Sequence, residues 1–159
     1  MSMRTDVNIE VEGLNDLIRD VKRAGGDARP LVTAALTNSA TRTQSEQRRR
    51  AAHRTGTLQR SILPQVHYPT AEVEVHEKYG IFVEKGTGIY GPRHRPITPK
   101  SAKVLAFKAG GSMVFTKKVL GMKPRPFFKP GWQAAQPFIR SQFDQVTARL
   151  VAVMAGRSR

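Results

Sequence analysis

Ser61-Ile62-Leu63-Pro64-Gln65-Val66-His67-Tyr68, then Pro69-Thr70-Ala71, then Glu72-Val73-Glu74-Val75-His76-Glu77: these residues decide the fold class. Val73 and Val75 alternate with Glu72, Glu74 and His76, which puts apolar side chains on one face and polar ones on the other, the pattern of a half-buried strand. Residues 61–68 read as its antiparallel partner. Pro64 assigns that partner to a sheet edge or a bulge, because proline has no N–H for a ladder. Residues 69–71 read as the turn. A chain with this hairpin is not all-helical.

Toward the N-terminus, Val7, Ile9 and Val11 alternate with polar residues and predict another short strand. Leu14, Leu17, Ile18 and Val21 recur at helical spacing, predicting a helix over 13–24 that Gly25-Gly26 ends. Asp27 is the expected N-cap of a second helix, with Pro30 in its first turn, running to about residue 52. Its first half has apolar Leu31, Ala35 and Leu36. Its second half, Thr41 to Arg50, is polar and is expected on a surface or partner interface rather than in a core.

Toward the C-terminus, Arg54-Thr55-Gly56 breaks the helix, and Tyr79 to Val83 reads as strand or short helix. Glycines and prolines make 86–100 a loop. Val104–Phe107 and Met113–Thr116 flank Gly110-Gly111 as a β-hairpin. After Pro124 and Pro126 comes a long apolar stripe: Trp132, Ala135, Ile139, Phe143, Val146, Leu150 and Val153. Pro137 predicts a kink or a late start to that helix. The expected fold is α+β in a single domain, 1–159: a small, mostly antiparallel sheet against the N-terminal helices and the C-terminal helix, with a long basic hairpin-loop excursion at 86–123.

The charge is uneven. The 159 residues hold 27 Lys+Arg and 12 Asp+Glu, for +15. Six acids fall within residues 1–27, whereas Lys85 to Phe143 holds no acid and twelve Lys/Arg. Such a stretch calls for an acidic partner, and nucleic acid is the commonest one. Cysteine is absent, which excludes disulfides and Cys-based metal sites. No apolar run is long enough for a membrane span, and there is no signal-peptide pattern, so assembly in a cytoplasm is expected.

The chemistry-bearing motifs read as structural. Gly86-Thr87-Gly88-Ile89-Tyr90-Gly91 fits G-x-G-x-x-G, but Pro92 follows and no helix opens there, so no dinucleotide site is expected. Arg48 and His53 resemble the paired residues of some small helical ribonucleases, whose folds lack strands. None of His53, His67, His76 and His94 has a second ligand at metal spacing. Glu84 is a lone carboxylate, which is no catalytic apparatus, and its expected task is loop-shaping with Gly86, Thr87 and Gly88. No catalytic, cofactor or metal residue is assigned. Phe127, Phe128 and Trp132 are read as anchors of the last helix, with base stacking as the alternative.

Three segments carry a family resemblance: Thr55-Gly56-Thr57-Leu58-Gln59-Arg60-Ser61-Ile62, Tyr79-Gly80-Ile81-Phe82-Val83-Glu84-Lys85-Gly86-Thr87-Gly88, and Arg125-Pro126-Phe127-Phe128-Lys129-Pro130. In this order they resemble T-G-x-L-x-x-S-I, Y-x-x-x-V-E-x-G-T and R-P-F-(F/L)-x-P of the neck and tail-completion proteins of long-tailed double-stranded DNA phages (the gene-product-ten-like head–tail connectors). The resemblance spans roughly residues 10–155. It implies a non-enzymatic virion protein of the neck, assembled in the host cytoplasm. It also implies a homo-oligomeric ring, six-fold by expectation, stacked on adjacent head-connector and tail proteins around the DNA channel. Lys100, Lys103, Lys108, Lys117 and Lys118 of the excursion are the expected contacts, either with genomic double-stranded DNA, non-specifically, or with a neighbouring protein. The rival from another class is a basic nucleic-acid-binding module.

Overall fold

The computed structural model describes residues 5–23, 25–53 and 55–157. In chain order the elements are β1 (Thr5–Ile9), α1 (Leu14–Arg23), α2 (Arg29–Arg50), α3 (Thr57–Arg60), β2 (Ile62–His67), β3 (Thr70–Val75), α4 (Gly80–Lys85), a 3-10 turn (Gly88–Tyr90), β4 (Leu105–Ala109), β5 (Ser112–Thr116) and α5 (Phe128–Arg157). The protein is α+β, with antiparallel sheets. The chain divides into two compact units, residues 1–77 with 127–159, and residues 78–126.

In the first unit the strand order is β1-β3-β2, antiparallel throughout. The hairpin turn is tighter than its sequence suggests: Thr70 and Ala71 belong to β3, opposite His67 and Val66. Edge strand β2 accommodates Pro64, as the missing N–H requires. Ile9, Ile62, Ala71, Val73 and Val75 are buried on one face. The first strand ends at Ile9, so Val11 lies beyond it. Leu14 and Val21 are the buried residues of α1. At the start of α2 the N-cap position is Ala28 rather than Asp27, yet the Asp27 carboxylate still accepts the Arg29 N–H at 2.9 Å.

The main departure from expectation is the second half of α2. Ser39, Thr43, Glu46 and Gln47 are buried, continuing the stripe of Val32, Ala35, Leu36 and Ala40 at helical spacing. This helix packs on β2, on β3 and along α5. Its polar groups can be buried because backbone atoms and nearby charges satisfy many of them. The Thr43 hydroxyl donates to the Ser39 carbonyl at 2.9 Å, and the Gln47 amide donates to the Phe128 carbonyl at 3.3 Å. Gln44 and Arg48 both donate to the Ile62 carbonyl, at 2.7 and 2.9 Å. At the crossing, Gly131 of α5 lies so close that a Cβ would stand 2.7 Å from the Gln47 Cα.

Glu46 is the one acidic group in this stripe, only 4% exposed. Arg42 pairs with it at 3.0 Å and Arg49 at 2.6 Å, and Arg50 forms a third ion pair. The Arg50 hydrogen bond, aided by the Arg49 and Arg42 charges, holds the Glu46 carboxyl below its ordinary value of 4.5 and outweighs the opposing effect of burial. A carboxyl depressed in the folded state stabilises above its unfolded pKa, and that contribution is lost as pH falls through the folded value. Urea denaturation should therefore give a stability that falls as the pH drops below about 4.5. Glu46→Gln should lower stability at pH 7 and weaken the acid dependence. An unchanged acid limb in that variant would refute the assignment.

Helix α5 begins at Phe128 and continues through Pro137 to Arg157, so the late start expected from the proline does not occur. Pro137 is exposed, and Ala135, Ile139, Phe143, Val146 and Leu150 are buried. The apolar stripe stops at Leu150: Val153 is 42% exposed.

In the second unit, Gly80 to Lys85 is helical rather than extended. The pairs Ala109↔Ser112 and Lys108↔Met113 set the β4–β5 register around Gly110-Gly111. Both glycines have positive φ (60° and 88°), as a two-residue hairpin turn of the favoured hand requires.

Candidate assembly surface

The second unit is closed at its base by the residues of the second motif. Thr87 binds the returning chain twice: its N–H donates to the Met122 carbonyl and its hydroxyl accepts the Met122 N–H, both at 2.9 Å. The Ile89 N–H donates to the Leu120 carbonyl at 2.8 Å, and the Arg125 N–H to the Val83 carbonyl at 2.8 Å. Ile97 and Val119 exchange two more backbone bonds, at 2.8 and 2.9 Å. These bonds require close backbone approach. Gly86 has φ +74°, and a Cβ there would lie 2.9 Å from the Met122 carbonyl oxygen. Gly88 has φ +64°, and its Cβ would overlap the Leu120 carbonyl. The G-x-G spacing thus serves a backbone crossing, and Gly88 opens only a 3-10 turn, not a phosphate-binding helix. Glu84 lies half-buried near the end of α4.

Beyond this closure no residue from Pro92 to Pro126 is buried. Lys100 and Lys103 precede β4, Lys108 lies within it opposite Met113, and Lys117 and Lys118 follow β5. All five are exposed. Residues 78–126 hold eleven Lys/Arg and a single acid, Glu84, and so carry +10 of the chain's +15. The hairpin also has an apolar character that its sequence does not announce. Phe107, Met113 and Phe115 are 39%, 51% and 66% exposed, and Leu120 and Met122 are exposed farther along the chain. Alternation in a strand signals a covered face, and here Leu105, Val114 and Thr116 on one face are only half-buried while Met113 and Phe115 on the other are exposed. The Lys123 ammonium sits 5.7 Å from the centre of the Tyr90 ring, within cation–π range.

The third motif joins this segment to α5. Phe127 and Phe128 are buried and meet edge to face, with ring centres 6.2 Å apart and planes at 82°. Trp132 is half-buried. Among the described residues, no group of three His, Cys, Asp or Glu side chains could hold a metal ion, and no helix is long and apolar enough to cross a membrane. No family model matches the chain, nor does any characterised protein or solved structure.

Proposed function

We propose that this chain is a structural protein of a tailed-phage neck, which assembles as a ring of six copies and joins head to tail around the DNA channel. The observation that supports this reading best is the segment 92–126. It is strongly basic, it buries nothing of itself, and it exposes large apolar side chains. Met113 and Phe115 share one face of the hairpin and Phe107 lies on the other, and large apolar surface exposed by a folded chain marks an interaction site. The second and third resemblance motifs fall where this segment is closed and joined to α5, and the first forms α3 and the start of β2, so they match residues that shape the structure. Ring neighbours and adjacent connector rings supply the protein partners, and contact with passing DNA is non-specific and electrostatic.

The test is in the particle. Electron microscopy of virions should find a ring of this protein at the head–tail junction, and a nonsense mutant should accumulate full heads beside unattached tails. A reconstruction with one isolated copy per particle, or joined particles in the mutant, would sink the proposal. Portal, capsid and tail-tube genes flanking this one would add independent support. A nucleic-acid-binding module is the second reading, favoured by exposed Phe107 and Phe115 among lysines, since aromatics in a basic setting stack on single-stranded bases. Dispersed monomers with tight single-strand binding would select it.

A further inference from the structure

Two surfaces of this chain differ in the sign of their charge, although α1 and α2 carry acids and bases side by side. The outer face of the β1-β3-β2 sheet carries Glu72, 32% exposed and 3.8 Å from His67, and the more covered Glu74, 13% exposed and 3.3 Å from His76. By register Asn8, Gln65 and Leu63 lie on the same face, and Leu63 is 40% exposed. Just past β1, Glu10 and Glu12 help to line an open groove of about 520 Å³ whose other walls include Leu14 and Pro69, with no Lys or Arg among the described residues that line it. The β4–β5 hairpin presents the complement. Lys108, Met113 and Phe115 share one face, with Lys117 following the strand.

A two-stranded hairpin with no core is marginal in water and gains from being covered. Duplex DNA could neutralise the lysines, but its phosphate backbone offers little apolar surface to Met113 and Phe115. An acidic surface with apolar patches answers both needs. We propose that the β4–β5 hairpin of one copy docks on the acidic sheet face and adjoining groove of a second copy of this chain. The two surfaces differ, so the contact is heterologous and propagates head to tail until it closes. The inference rests on the neck-ring reading and names the surfaces that meet within the ring.

Charge exchange tests it. One variant carries Lys108→Glu, Lys117→Glu and Lys118→Glu; the other carries Glu10→Lys, Glu12→Lys and Glu72→Lys. Sedimentation velocity at low salt should show the wild type associating with concentration and dissociating as salt rises. Each variant alone should associate on the order of a hundredfold more weakly, because like charges then face each other. A one-to-one mixture should regain association, since each hairpin again meets a surface of opposite sign. The cysteine-free chain permits a second measurement that needs only single substitutions. Mixed Met113→Cys and Glu12→Cys proteins should form a disulfide-linked heterodimer on oxidation. A wild type that stays monomeric at every concentration and yields no cross-link overturns the inference. So does a mixture of folded variants that does not recover, or lysines that engage duplex DNA in its place. Rings in the neck that survive both triple variants overturn this interface and leave the ring reading standing. Charge-dependent association in solution with no ring at the junction does the reverse.

Discussion

Phe127→Ala is expected to destabilise the first unit by about 3–5 kcal/mol, the usual cost of emptying a fully buried phenylalanine site. Phe127 is 0% exposed and is the largest of the fully buried side chains. Its substitution also removes the edge-to-face contact with Phe128, worth about 0.5–1.5 kcal/mol beyond the area buried. Domains are stable by only about 5–15 kcal/mol, so the loss could leave the variant partly unfolded at 37 °C. Because Phe127 immediately precedes α5, and the Gln47 side chain reaches the Phe128 carbonyl, disorder there should loosen the α2–α5 pair. Guanidinium denaturation of the wild type and of Phe127→Ala gives the difference directly. A double alanine variant at Phe127 and Phe128 that keeps its denaturation midpoint but loses nucleic-acid binding would reverse the assignment and make these rings a stacking platform.

Gly88→Val should break the closure of the second unit. Two costs combine: about 1–2 kcal/mol for a branched side chain at positive φ, and about 1–3 kcal/mol or more for forcing the Leu120 carbonyl away. The bonds nearest the clash, Thr87 to Met122 and Ile89 to Leu120, are the first to open. Gly86→Val meets the same kind of obstacle against Met122 and Pro124, so it should act in the same direction. Hydrogen exchange should show faster amide exchange at Thr87, Ile89 and Met122, with near-native protection in α2 and β3. On the neck reading, particles carrying Gly88→Val fail to join head to tail. Native-like protection at Thr87 and Ile89 together with normal infectivity would refute the role given to this crossing.

Much of the fold was legible because period and punctuation act locally. The Val73/Val75 alternation, the stripe from Ala135 to Leu150 and the Gly110-Gly111 turn each specify an element from neighbouring residues alone. Errors arose where a residue's neighbours in space differ from its neighbours in sequence. Tyr79 to Val83 is no such error: it admits strand or short helix, having too few residues for its apolar content to separate the two, and the short helix is what forms. Pro137 is tolerated inside α5 on an exposed face. Of the candidate site, the glycines, Thr87 and the lysines could be found from motif and charge. The exposed Phe107, Met113 and Phe115 could not, because hydrophobicity by itself predicts burial.

By itself the sequence determined the α+β class, the order of the longer helices and of the strands, the absence of disulfides and the concentration of positive charge between Lys85 and Phe143. Tertiary structure alone decided two things. It buried the polar half of α2, because Ser39 is small enough to pack, the Thr43 hydroxyl and the Gln47 amide find carbonyl partners within α2 and on α5, and three arginines neutralise Glu46. It also left the β4–β5 hairpin without a buried residue. Whether an amphipathic strand pair is buried depends on what packs against it, and no local pattern encodes that.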